Sequence, residues 1–294
     1  MQLIIGSQVT LIDGAIEKIF PYGEVLQLLS KFKNICTDIQ WNVNVPARDK
    51  CQIIENQETI NIKNFKARDF QQACVDKFTR TTLTGYIFAP TGSGKTNIAA
   101  YLIAKRNIRT LFIVPKYDLV KQTKKRFQDI LDIDPSMIGE LSSHKKEFGA
   151  PILITTWQSL NKEATLQRVK EDKYSQIICD EMHKASADVY YDVVSSIPAM
   201  YKHGLTATPY RNNIKNEQRL YDLVGEERAS VDIIDLYKHG FLVQPNIRFK
   251  NTHYKINIDQ EYLRSLDFNI KLGMLKKNID KSKKRKEFIL NDIK

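Results

Sequence analysis

A chain of 294 residues, 42% hydrophobic and 27% charged, has enough apolar material for about two domains, and no apolar run reaches the ~18 residues a membrane span needs. Forty-five basic against 34 acidic residues leave a formal charge of +11, which favours polyanionic partners through counterion release, nucleic acid being the commonest of these. Cys36, Cys51, Cys74 and Cys179 contain no C-x-x-C pair and no histidine at zinc spacing, so they read as reduced thiols and argue against a disulfide framework or a structural metal.

Residues 1–62 read as a small α+β module. "QLIIGSQVTLI" alternates like a strand or hairpin around Gly6 and Ser7, and "GEVLQLLSKF" spaces Val25, Leu26, Leu28, Leu29 and Phe32 as one helical face. "CQIIENQETINI" alternates again, around a turn between Glu55 and Glu58. Residues 1–66 hold seven basic and seven acidic groups, so bulk attraction to a polyanion does not explain this segment. The start has neither a basic lead nor a long apolar stretch, so it is not a signal peptide.

From residue 63 to about 250 the rhythm becomes strand, helix, strand, helix. "GYIFA", "TLFIVP", "PILITT" and "SQIICD" are short, nearly continuous apolar runs separated by helical stretches, and "KHGLTATP" ends a further strand. That pattern predicts an α/β fold with a parallel sheet covered by helices on both faces. Beyond "FLVQPNIRF" the chain turns polar; residues 271–294 hold nine basic and three acidic groups.

Two stretches carry chemistry. In "APTGSGKT", Gly92 and Gly94 let the backbone of Pro90, Thr91, Ser93 and their neighbours curl around one anion; Lys95 neutralises outer phosphates and the Thr96 hydroxyl ligates Mg²⁺. The loop follows an apolar run and opens a helix whose N-terminus adds its dipole. Such a loop alone fits kinases, GTPases, transporters and motors alike. In "IICDEMHK", Asp180 and Glu181 stand at a strand tip 85 residues after Lys95. The first suits Mg²⁺, directly or through water, and the second suits a general base for the water that attacks a γ-phosphate. That pair favours an ATPase over a small-molecule kinase.

"APTGSGKT", "DEMH" and "LTATP", in this order and spacing, resemble the DExH-type superfamily 2 helicases and translocases. "RDFQ" resembles the adenine-reading Q motif of that family, and "LFIVPKYDLVKQ" and "LITTWQSL" resemble its motifs Ia and Ib. "TATPYR" followed by "HGFLVQP" is similar to the branch holding the type III restriction motor subunit, the XPB-like proteins and the phage UvsW-like branch-migration helicases. The resemblance covers about residues 65–250 and implies a RecA-like domain using ATP and Mg²⁺. By it Gln71 reads the adenine edge with Arg68 nearby, the loop from Pro90 to Thr96 binds phosphates, Asp180 holds the metal and Glu181 activates water. His183, bordering the nucleotide, and Thr206 and Thr208 link that site to a nucleic-acid path crossing Pro115, Lys116, Thr156, Gln158 and Ser159. Trp157 reads as a packing residue, and the lysines of "KQTKKRF" either touch phosphates or solvate their helix.

The resemblance also implies a second RecA-like domain that supplies an arginine finger, and its "Q-x-x-G-R-x-x-R" pattern does not occur here. Residues 251–294 read as a linker and helix leading toward that domain. The expectation is thus the N-terminal half of an ATP-dependent helicase or translocase acting on duplex or branched DNA, in a cytoplasmic setting, bacterial or in a phage-infected host cell, without a membrane partner. An RNA helicase of the same superfamily, a restriction-system motor subunit and a nucleotide-gated, non-enzymatic binding module remain the alternatives.

Overall fold

The computed structural model describes residues 2–5, 8–13, 16–32, 35–36, 38–41, 52–55, 59–63, 65–81, 83–186, 188–208, 214–245, 268–283, 285–287 and 290. The expected turn at Gly6 and Ser7, Cys51, Glu58, residues 209–211 and residues 246–267 lie outside them. The chain forms two compact units, Met1–Val243 and Gln244–Lys294.

In the first unit, β1 (Gln2–Ile5), β2 (Val9–Asp13), β3 (Ile16–Phe20), α1 (Val25–Phe32) and β4 (Asp38–Trp41) make a four-stranded sheet in the order β3-β2-β1-β4 with one helix. β1 pairs antiparallel with β2 and parallel with β4. The sequence alternation explains its one-sided core: Leu3, Ile5, Val9 and Leu11 bury themselves against Val25 and Leu28 of α1, while Gln2, Ile4 and Thr10 take the opposite face. The side chain of Gln27 in α1 then donates to the Tyr221 hydroxyl at 2.8 Å and to Glu226 at 3.2 Å, joining this sheet to the larger one.

The larger layer is a seven-stranded parallel sheet. Its elements are α2 (Asp69–Thr81), β5 (Thr84–Phe88), α3 (Lys95–Arg106), β6 (Thr110–Val114), α4 (Tyr117–Ile130), β7 (Ile138–Leu141), β8 (Ile152–Thr156), α5 (Trp157–Leu160), α6 (Glu163–Glu171), β9 (Gln176–Asp180), α7 (Asp188–Ser195), β10 (Tyr201–Thr206), α8 (Ile214–Val224), β11 (Glu227–Ser230) and α9 (Ile233–Lys238). The strand order is β11-β5-β10-β9-β6-β8-β7, with parallel pairing throughout. Continuous apolar strands make sense here because each face needs its own core. Phe112, Val114, Ile152, Ile154 and Ile178 pack with residues of α2, α3 and α4 on one side. Leu111, Ile113, Leu153, Ile177 and Cys179 pack with residues of α6, α7 and α8 on the other. Each such fully buried side chain contributes about 1.5–3 kcal/mol of transfer free energy.

β7 and β11 were not visible as strands. β7 is four residues long and includes the buried Glu140, and β11 is an edge strand reading exposed, half-buried, buried, exposed. The described residues of the alternating 52–63 stretch reach other elements. It makes isolated bridges, Gln52 with Ile108 and Ile62 with Leu131, and its Ile53 and Ile60 amides donate to the Asn107 and Ala104 carbonyls. Ile53 and Ile60 thereby join the core shared with α3 and α4, with Ile54 and Ile62 packed against it.

The second unit contains α10 (Phe268–Lys281). Among the described residues no helix is long and apolar enough to cross a membrane.

Candidate nucleotide site and adjoining cleft

The phosphate loop leaves β5 at Ala89 and enters α3 at Lys95. Gly92 and Gly94 hold φ of +85° and +84°, the left-handed region that favours glycine, and Gly94 is the N-cap of α3 without any side-chain cap. The Ser93 and Asn97 amides donate back to the Pro90 and Gly94 carbonyls, and the opening of α3 turns the positive end of the helix toward an incoming anion. The Ser93 hydroxyl is buried with no hydrogen-bond partner among the described residues, an orphan that a phosphate oxygen would satisfy. Lys95 folds over the loop, its Nζ 3.4 Å from the Ala89 carbonyl and 3.3 Å from Oε1 of Glu181.

Gln71, in the first turn of α2, is only 2% exposed. Its Oε1 accepts from the Arg68 amide at 3.1 Å and its Nε2 donates to the Ser93 carbonyl at 3.0 Å. The side chain thus braces the helix against the phosphate loop. Arg68 is exposed and its guanidinium carbon lies over the Phe241 ring, 4.3 Å from the centroid.

Asp180 and Glu181 end β9, beside the loop. The Glu181 amide donates to Oδ1 of Asp180 at 3.0 Å, and Glu181 sits at φ +48°, where a side chain is held only when its surroundings force it. Burial, then the neighbouring Glu181 charge, push the Asp180 carboxyl up to about 6, while Lys95 acts the other way. Two carboxylates against one ammonium in a desolvated corner call for another cation. Among the described residues no cluster of three or more His, Cys, Asp or Glu side chains could cage a metal. The Asp180 carboxylate and the Thr96 hydroxyl are hard oxygen donors too few for a protein cage, which fits an Mg²⁺ that arrives with phosphates and keeps several waters.

His183 continues the chain of polar contacts. Its Nδ1 lies 3.3 Å from Oε2 of Glu181, 3.1 Å from the Thr206 hydroxyl and 3.3 Å from the Thr208 hydroxyl. The Thr208 amide donates to Oγ1 of the fully buried Thr206 at 3.1 Å. Lys95, Glu181, His183, Thr206 and Thr208 therefore form one connected row from the phosphate loop to the end of β10.

A second cavity, about 560 Å³, brings together Pro115, Lys116, Thr156, Gln158 and Ser159, all five residues singled out for nucleic acid. Thr156 Oγ1 accepts from the Ser159 amide at 3.3 Å and lies 3.1 Å from the Ser159 hydroxyl. Sequence reasoning missed Ser142, Ser143, Lys146, Lys162 and Thr165, which line the same cleft. The run "LSSHKK", hydroxyls then lysines, was the available signal, hidden because β7 before it went unread. Beneath the cleft the buried Glu140 accepts from the Tyr117 and Ser142 hydroxyls at 3.3 and 3.2 Å. Trp157 packs away from it, stacked at 13° on the buried Tyr190.

Comparison with known proteins agrees with this architecture. A protein named DNA 3'-5' translocase XPB2, from Sulfurisphaera tokodaii, is 33% identical over 152 residues, 51% of this chain and 32% of its own length. One named DNA 3'-5' helicase XPB, from Mycobacterium tuberculosis, is 26% identical over 228 residues, 75% of this chain and 39% of its own. This chain thus spans well under half the length of either relative. The crystal structure of phage T4 UvsW superposes with a TM-score of 0.50 at 21% identity, covering 72% of this chain and 45% of that one, a likeness of fold. Residues 64–211, half of the chain, match the family described as type III restriction enzyme, res subunit. The chain belongs to that family, and its seven-stranded parallel sheet with flanking helices carries the RecA-like fold.

Proposed function

We propose that this chain is the ATP-binding half of a DNA helicase or translocase, and the observation that carries the reading is the row Lys95–Glu181–His183–Thr206. In the structure Lys95 and Glu181 satisfy each other. A triphosphate entering between Gly92 and Thr96 offers Lys95 a stronger partner, and the ammonium moves to it. Glu181 is then released as a free carboxylate at the half-buried strand tip, where water can be oriented for attack. His183, whose Nδ1 stands within 3.3 Å of Glu181 Oε2 and of both threonine hydroxyls, passes any shift of that carboxylate to the end of β10. Thr96 and Asp180 would hold an Mg²⁺ arriving with the nucleotide, which would neutralise phosphate charge.

The cleft at Pro115, Lys116, Thr156, Gln158 and Ser159 is read as the nucleic-acid path, its hydroxyls and lysines meeting phosphates rather than bases. Two relatives named for action on DNA support DNA over RNA. Residues 63–250 are assigned the ATP-binding role, residues 1–62 an accessory role, and residues 251–294 the approach to a second RecA-like domain. The arginine of that domain would stabilise the transferring phosphoryl group, and its loss typically costs ~10³-fold or more in rate.

Hydrolysis of radiolabelled ATP by the 294-residue chain, alone and with duplex DNA, forked DNA or RNA, tests this. The reading expects ATP binding, slow turnover and stronger stimulation by DNA than by RNA. Stronger stimulation by RNA would replace the DNA assignment, and no binding of ATP would end the motor reading.

A further inference from the structure

The segment after α9 lies across the candidate nucleotide site, and nothing described above gives it a task. α9 ends in a glycine-terminated turn. Gly240 holds φ of +69°, and the amides of Phe241 and Leu242 both donate to the Leu236 carbonyl, at 2.9 and 3.2 Å. That double return fixes the direction in which the chain leaves the helix. It sets Leu242 against the phosphate loop: a Cβ built on Gly92 would stand 2.6 Å from Cδ2 of Leu242. It sets Phe241 against the Q-motif side. The guanidinium of Arg68 lies over the Phe241 ring at 4.3 Å, the Phe70 ring stands at 5.8 Å, and the His239 ring stacks at 6.0 Å and 18°. Phe70 and Phe241 also help line a cavity of about 280 Å³ with Asp69 and Leu236. Arg68 makes no ion pair among the described residues, its side chain is exposed, and its guanidinium carbon sits over the Phe241 ring.

We propose that Phe241 is a positioning residue for the nucleotide base. It holds the Arg68 guanidinium flat so that the outer face of that plane receives an aromatic base, and Leu242 ties the platform to Gly92 at the phosphate end. The inference rests on the reading of residues 90–96 as a nucleotide site. A free arginine must surrender several rotamers to stack, and one already stacked has surrendered them before the base arrives. A flat guanidinium rewards any aromatic base, so the platform sets base affinity without choosing between adenine and guanine.

The test is calorimetric titration of the 294-residue chain with Mg-ATP, Mg-GTP and inorganic tripolyphosphate, which has no base. Phe241→Leu keeps an apolar side chain and removes the ring; Phe241→Tyr keeps the ring. Phe241→Leu is expected to weaken ATP and GTP alike by about 3- to 30-fold, the range of a cation–π contact, while tripolyphosphate affinity stays unchanged. Phe241→Tyr is expected to restore ATP binding. Unchanged ATP affinity in Phe241→Leu would overturn the proposal. So would equal weakening of ATP and tripolyphosphate, which marks a distorted loop, or failure of Phe241→Tyr to rescue. Lys95→Ala, titrated in parallel, separates this proposal from its foundation: if that variant binds ATP and tripolyphosphate as the wild type does, the nucleotide-site reading itself falls.

Discussion

The two ends of β10 hold charge in opposite ways. At its start, Lys202 and His203 are each 1% exposed. Lys202 Nζ donates to the Ser195 carbonyl at 3.3 Å. Next to His203, the Arg106 guanidinium donates to Gln176 at 2.9 Å and to the Phe78 carbonyl at 2.6 Å and covers the Tyr201 ring at 3.9 Å. Burial pushes Lys202 down to about 8, Arg106 down to about 10 and His203 well below its ordinary range. At its finish, Thr206 meets His183, which borders Glu181, and Glu181 pairs with Lys95, the pair staying partly open to solvent. The more perturbed groups are at the start, yet open α/β sheets bind ligands beyond the carboxyl ends of their strands. A displaced pKa therefore marks burial first. It marks a site only where the group also faces a cavity and a partner of opposite charge.

The contrast can be broken by substitution. The largest effect is expected from Glu181→Gln, which keeps the size of the side chain and removes its basicity. ATP turnover should fall by roughly 10²–10⁴-fold while ATP still binds, as for loss of a general base. Wild-type turnover in this variant would remove Glu181 from the chemistry.

Lys202→Met should act on stability alone. The folded chain gives up the Lys202 proton near pH 8 and the unfolded chain near 10.5, so between these values the unfolded state holds more protons. Stability of the wild type therefore rises with pH across that window. At pH 7 the methionine variant should be more stable by on the order of 2 kcal/mol, a gap that closes as pH approaches 10.5. Denaturant melts of both proteins at several pH values check this, and a gap that widens with pH would contradict it.

The smallest effect belongs to the cleft. Lys116→Ala should weaken DNA binding about equally on every sequence and lower the salt slope by about one unit, the signature of one lost phosphate contact. An unchanged slope in fluorescence anisotropy would take Lys116 off the path.

Much of this was legible in the sequence wherever local residues dictate local geometry. β6 and β8, buried along their whole length, announce themselves as apolar runs, and the phosphate loop is written in Gly92, Gly94 and Lys95 themselves. The acidic corner was legible because Asp180 and Glu181 end such a run. β11 was not, because an edge strand needs no continuous apolar face, and β7 was not, because Glu140 is buried by hydrogen bonds made after folding. The bracing role of Gln71 and the Arg68–Phe241 stack were equally hidden, since each joins elements that only the sheet brings together. The partners of the 52–63 stretch were hidden too, because alternation reports one buried face without naming the surface that buries it.

Mg-ATP binding by Lys95→Ala and Lys202→Met, titrated side by side with the wild type, tests the central claim most directly. One lysine lies at the phosphate loop and the other is buried at the start of β10. The account predicts that Lys95→Ala loses measurable ATP affinity while Lys202→Met binds as the wild type does. Retained affinity in Lys95→Ala, or equal loss in both, would contradict the division of labour between the two ends of the sheet.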